Sequence, residues 1–132
     1  MAFELLGPNL EDLFCYCGRR FSLKTTLMLA DQLLHRFESL HAVHYLHRDV
    51  KPENFLLGTG YQGNTVYMTD FGLAVYRRPT KLRPSGSPQE LTVPSVSARR
   101  EPGLLGTCRY ASVHAHLGIC EYSSYQRVWI VL

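Results

Sequence analysis

The stretch His47–Leu57, HRDVKPENFLL, followed by Asp70–Gly72, DFG, decides how the rest of this chain is read. The first piece sets out a carboxylate (Asp49), a cation two positions on (Lys51) and a carboxamide five positions on (Asn54). The second piece adds another carboxylate, Asp70. An aspartate placed this way can accept the proton of an incoming hydroxyl, and a nearby lysine can neutralise charge on a group in transfer. An amide oxygen and a second carboxylate are hard donors suited to a small divalent cation. An apolar, strand-like segment precedes each piece, Val43–Leu46 and Thr65–Thr69. Either triplet alone would be an ordinary turn; the order strand, loop, strand, loop argues against chance.

These residue types and spacings resemble the catalytic loop and the metal-binding loop of the eukaryotic protein kinases. The resemblance implies transfer of the γ-phosphate of ATP to a protein hydroxyl. Asp49 would be the base, Lys51 the charge stabiliser, and Asn54 and Asp70 the ligands of Mg²⁺. Lysine at position 51 favours a Ser/Thr kinase over a tyrosine kinase. Small-molecule kinases of related fold share the Asp and the Asn but seldom the full HRDxKxxN string.

Two further stretches narrow the resemblance. Phe3–Phe14, FELLGPNLEDLF, is similar to the hinge and following helix of the casein kinase 1 group, where LLGPxLEDLF is characteristic. It implies Phe3 as gatekeeper, the backbone of Glu4 and Leu6 at the adenine edge, and Asp12 near the ribose. Leu56 would floor the adenine ring; a plain core leucine is the other reading, and both can hold. Gly106–Ile119, GTCRYASVHAHLGI, resembles the GTxRYASINxHLGI segment that closes the activation loop in that group. There Thr107 would hydrogen-bond near Asp49 and Lys51 and help hold the substrate hydroxyl in line. Ser112-Val113-His114 departs from the group's Ser-Ile-Asn.

Local patterning supplies the scaffold. Asn9 is a good N-cap, Glu11 and Asp12 complement the helix dipole, and Gly18 suits a C-terminal stop. Ser22 caps a longer helix over Leu23–His41. Its apolar positions Leu23, Leu27, Ala30, Leu34 and Phe37 follow the spacing of one face, which Leu29, Leu33 and Leu40 widen. Val43–Leu46, Phe55–Leu57, Thr65–Thr69 and Leu73–Tyr76 read as short strands. Gly58–Asn64, GTGYQGN, is a turn-rich connection between strands and not a phosphate-binding loop. His35, His41 and His44 carry no chemistry in this reading.

The chain of 132 residues has length for one modest domain, and 45% hydrophobic residues for its core. No apolar run reaches transmembrane length, and MAFELLGPNL lacks the basic and apolar regions of a secretory leader. Cys15, Cys17, Cys108 and Cys120 form neither a CxxC framework nor a metal-ligand spacing, so free thiols are expected, in a cytoplasmic or nuclear setting. His114 and His116 lack a third ligand nearby.

Charge is uneven. Arg77–Arg100 holds six of the 14 basic residues and one of the 11 acidic ones, so the positive field belongs to the segment after DFG. Its prolines and serines read as a long loop. Within the resemblance this is the activation segment, and Arg77, Arg78, Lys81, Arg99 and Arg100 would dock acidic or phosphate-primed protein substrates. A solvated basic loop is the plainer alternative. Nucleic acid is a poor fit, because no aromatic residues interleave the charges.

The expected architecture is α+β: a kinase-like fold represented by part of its C-terminal lobe, mainly helical with short β hairpins, without the N-terminal lobe. Residues 1–119 form the partial kinase domain, with hinge 1–8, helices and catalytic loops 9–76, and activation loop 77–105. Residues 120–132 form a divergent tail ending in the apolar, β-prone Val128–Leu132. The glycine-rich loop and its lysine–glutamate pair would lie upstream of Phe3 and are not among these residues. A chain of these residues alone is therefore expected to transfer phosphate weakly or not at all. A non-catalytic interaction fragment and an incomplete gene product are the alternative readings.

Overall fold

The computed structural model describes residues 4–77 and 106–116. The expectations for Phe3, for Arg78, Lys81, Arg99 and Arg100, for Cys120 and for the tail 120–132 lie outside the described residues.

Helix α1, Leu10–Tyr16, begins at Asn9, whose side-chain oxygen accepts the Asp12 N–H at 2.8 Å while its amide donates to the Asp12 carboxylate at 2.8 Å. This reciprocal pair satisfies an orphan backbone donor and orders the first turn. The helix ends where Gly18 turns to φ 68° and the Arg19 N–H reaches back to the Phe14 carbonyl. Helix α2, Leu23–Ala42, is capped by Ser22, whose Oγ accepts the Thr25 N–H at 3.1 Å.

The buried face of α2 is Leu29, Leu33 and Phe37, one residue per turn. The wide face read from the sequence included all three, but its other stripe, Leu23, Leu27 and Leu34, is exposed. Both stripes have helical spacing, and neighbouring stripes on one helix differ only in which tertiary partner covers them. Here the partner is a β hairpin. Phe37 meets Phe55 edge to face with centroids 5.8 Å apart, and Leu10, Phe55 and Val66 complete the buried core. Leu13, Phe21, Val50, Leu57 and Met68 pack around it.

Four short strands form two antiparallel pairs. Strand β2, Phe55–Leu57, pairs with β3, Val66–Met68, with Phe55 opposite Met68 and Leu57 opposite Val66. A tight turn at Gly60–Gln62 lies in the connection, and the Gly58 Cβ position would run into the Gln62 carbonyl. Strand β1 covers only Tyr45–Leu46, because Val43 still closes α2, and it pairs with β4, Val75–Tyr76. Phe71–Leu73 forms a 3₁₀ turn after Asp70, so the strand expected from Leu73 begins only at Val75. The β1–β4 pair brackets everything between residues 47 and 74, so both chemistry-bearing loops are anchored at one sheet. Among the described residues no helix is long and apolar enough to cross a membrane.

Candidate active site

The loop leaving β1 carries His47 and Asp49 into the interior, where they are among the buried polar residues. Arg48 between them takes φ 68°, a left-handed conformation that a side chain rarely adopts, and its Nε donates to the Leu73 carbonyl. His47 connects the two loops. Its Nδ1 accepts the Asp49 N–H at 3.3 Å, so Nε2 carries the hydrogen and donates to the Thr69 carbonyl at 2.9 Å. The Phe71 ring lies 5.3 Å from the imidazole centroid.

Four donors converge on the Asp49 carboxylate. Thr107 gives its N–H and its hydroxyl to Oδ1, at 2.9 and 2.8 Å. Lys51 Nζ lies 2.7 Å from Oδ2, and Asn54 Nδ2 lies 3.3 Å from the same oxygen. A carboxylate offers about four lone-pair sites, so this one is saturated from within the chain. Lys51 Nζ also donates to Thr107 Oγ1 at 3.0 Å, closing a ring of three side chains. Burial pushes the Asp49 carboxyl up, but the Lys51 and Thr107 hydrogen bonds and the Lys51 charge outweigh it and hold the group below its ordinary range. Lys51 is held above its ordinary range, first by its bond to Asp49, against the cost of its own burial, with Asp49, Glu53 and Asp70 adding attraction.

Thr107 reaches Asp49 because Gly106 permits it. Gly106 has φ 94°, and a Cβ there would stand 2.8 Å from the Arg48 carbonyl oxygen. Only glycine combines that backbone angle with so close an approach. The chain then makes a 3₁₀ turn at Cys108–Tyr110 and enters the short helix α3, Val113–His116, where Ser112 Oγ accepts the Ala115 N–H and His116 Nε2 pairs with the Cys108 carbonyl.

Residues 1–93 match the family described as the protein kinase domain. The chain belongs to the protein kinase family. Members of that family are enzymes that transfer phosphate to proteins and generally use ATP and Mg²⁺, which directs attention to the remaining oxygen donors. Asn54 spends its amide hydrogens on Asp49, on its carbonyl at 2.9 Å and its carboxylate, and its Oδ1 accepts no hydrogen bond among the described residues. Asp70 takes φ 60° and accepts the Gly72 N–H at 3.3 Å, leaving carboxylate capacity unused. No three His, Cys, Asp or Glu side chains among the described residues group to hold an ion by themselves. An amide oxygen and an exposed carboxylate, with phosphate and water completing the shell, are a donor set that fits Mg²⁺.

Of the residues expected at the nucleoside, Leu56 lies within β2, Leu6 adjoins Gly7, which bonds β2, and Asp12 sits in the first turn of α1. Gly7 N–H donates to the Leu57 carbonyl at 2.8 Å and Leu57 N–H to the Pro8 carbonyl at 3.0 Å, so the segment at Gly7 and Pro8 runs beside the strand. The Gly7 Cβ position is 2.8 Å from the Gly58 carbonyl oxygen, which explains a glycine there. Glu4 is exposed; Leu6 and Leu56 are half-buried. Asp12 is exposed, with one carboxylate oxygen taken by the Asn9 cap. Leu56 follows Asn54 by two residues, so β2 joins the segment at Gly7 and Pro8 to the loop that carries Asp49 and Asn54.

Sequence reasoning passed over Thr69 and the separate task of His47. Thr69 gives its N–H and its hydroxyl to the Asn54 carbonyl, at 2.9 and 3.1 Å, while its own carbonyl takes the His47 bond. The signal was a hydrogen-bonding residue immediately before DFG. Cys15, Cys17 and Cys108 are free and exposed.

Proposed function

We propose that this chain carries the catalytic half of a Ser/Thr protein kinase of casein kinase 1 type, corresponding to part of the C-terminal lobe. The observation that carries this reading is the closed ring of Asp49, Lys51 and Thr107, built from residues 58 positions apart at its widest. In the reaction a substrate Ser or Thr oxygen forms a bond to the γ-phosphorus of ATP as the bond to the bridging oxygen of ADP breaks. The hydroxyl proton passes to Asp49.

A carboxylate held below its ordinary range is ionised at neutral pH but is a weak base. That suits a loose phosphoryl-transfer transition state, in which the base orients the hydroxyl and takes its proton late. Because all the Asp49 lone pairs are filled, a substrate hydroxyl must displace one donor. Lys51 is the candidate: its second bond, to Thr107, keeps it near the site while its charge turns to the incoming phosphate. Asn54 and Asp70 would hold Mg²⁺, which when bound offsets phosphate charge. Glu4, Leu6, Asp12 and Leu56 would contact the nucleoside. The strings LLGPNLEDLF and GTCRYAS support the casein kinase 1 assignment, and with it a preference for acidic or phosphate-primed proteins.

The test joins binding to transfer. Mg·ATP should raise the melting midpoint of the chain, as a ligand of the folded state must, and Asp70→Asn should remove that rise. Phosphate transfer to casein, measured with radiolabelled ATP, should disappear in Asp49→Asn. A wild-type chain that melts cooperatively yet shows no shift with Mg·ATP would overturn the reading.

A further inference from the structure

Helix α2 and the DFG strand are linked by a feature that the catalytic reading leaves unexplained. Strand β3 has one partner, β2, and its other edge faces α2. Val66 on that edge has no solvent exposure, so its backbone N–H and carbonyl need partners within the protein. Two side chains one helical turn apart supply them. Gln32 Oε1 accepts the Val66 N–H at 2.9 Å, and Arg36 Nε donates to the Val66 carbonyl at 2.9 Å. The Gln32 amide also donates to the Asn64 carbonyl at 2.9 Å, at the entrance to the strand. The helix thus takes the place of a third strand.

We propose that Gln32 and Arg36 are positioning residues for the metal site. The clip sets the position of β3 along its own axis, since a slip of one residue would turn the Val66 groups toward β2 and break all three bonds. Three residues further on, Thr69 bonds the Asn54 carbonyl and receives the His47 bond, and Asp70 follows at once. The path from the clip to the two oxygen donors is therefore a short strand with both ends tied. The spacing between Asn54 and Asp70 is set by α2 as much as by the loops that bear them. This rests on the reading of Asn54 and Asp70 as Mg²⁺ ligands.

The test is a Mg²⁺ titration of ATP binding, followed by calorimetry, in the wild-type chain and in Gln32→Ala and Arg36→Ala. Outer partners of metal ligands typically change metal affinity by about 10–100-fold; acting through a strand, these should raise the Mg²⁺ midpoint by about tenfold. Binding of ATP in the presence of EDTA should stay at the wild-type level. Hydrogen exchange at the Thr69 amide should quicken in both variants. Arg36→Lys, which keeps a donor for the Val66 carbonyl, should restore the midpoint.

A purely structural role would lower the melting temperature and weaken metal-free and Mg²⁺-linked binding equally; that result overturns the proposal, as does an unchanged midpoint. If the alanine variants fail to fold, Gln32→Met decides. It fills the same volume but cannot accept the Val66 N–H, so a midpoint and a Thr69 exchange rate equal to wild type would overturn the proposal. Absence of any Mg²⁺-linked binding in the wild-type chain overturns the reading of the metal site and this inference with it. Normal linkage in the wild type and the alanine variants alike overturns this inference alone.

Discussion

Thr107 donates both its backbone N–H and its hydroxyl to one oxygen of Asp49, across 58 positions of sequence. Two bonds from one residue fix the carboxylate plane as well as its distance, and the hydroxyl is held in turn by Lys51 at 3.0 Å. The Asp49 carboxylate is therefore oriented from a residue far along the chain rather than only from its own loop.

Thr107→Val removes the hydroxyl and keeps the shape and the N–H. Any phosphate transfer the chain supports should fall by about a hundredfold, the low end of the range for a positioned base. The midpoint rise with Mg·ATP should remain, because Asn54 and Asp70 are untouched. Kinase assay and thermal melt on the same preparation separate the two effects.

Gly106→Ala should act through the backbone. At φ 94° the added methyl would lie 2.8 Å from the Arg48 carbonyl oxygen, and the strain of such a position is about 1–3 kcal/mol. The segment will relieve it by moving Thr107 off Asp49. Transfer should drop at least as far as in Thr107→Val, with proteolysis after residue 105 becoming faster.

Acid should weaken the ring through Asp49. Its carboxyl is held below the ordinary 3.8 in the folded protein, so its contribution is present above that value and is lost as pH falls through the lower folded value. Lys51, raised above 10.5, contributes below that value and loses its contribution as pH rises through the higher folded one. Asp49→Asn should flatten the acid limb of a plot of melting midpoint against pH. An unchanged acid limb would show that other carboxylates control it.

Leu33→Ala and Leu34→Ala differ by one position and should differ widely in cost. Leu33 is 1% exposed and lies in the core with Phe37 and Phe55; its truncation should cost about 2–5 kcal/mol. Leu34 is 65% exposed, and its truncation should fall within about 0.5 kcal/mol. Urea titrations of the two variants check the face of α2 directly.

Much of the site could be read along the chain because its parts are local. Asp49, Lys51 and Asn54 occupy one loop, and the caps at Asn9 and Ser22 depend on neighbours three residues away. Strand β2 was found at its full extent because Phe55–Leu57 is apolar, short and bounded by polar residues and glycine. Those features need only nearest-neighbour chemistry, and so sequence alone determined them.

Tertiary structure decided the rest. Which leucines of α2 are buried depends on where the β2–β3 hairpin lies, and the helix pattern permits more than one answer. The bonds from His47 and Thr69 across the two loops, and the clip of Gln32 and Arg36 on Val66, join residues 15 to 34 positions apart. Their partners are mostly backbone groups, which every residue carries and no side-chain pattern marks. A buried edge strand must find donors and acceptors somewhere; that requirement follows from physics, but only the packed chain shows that Gln32 and Arg36 meet it.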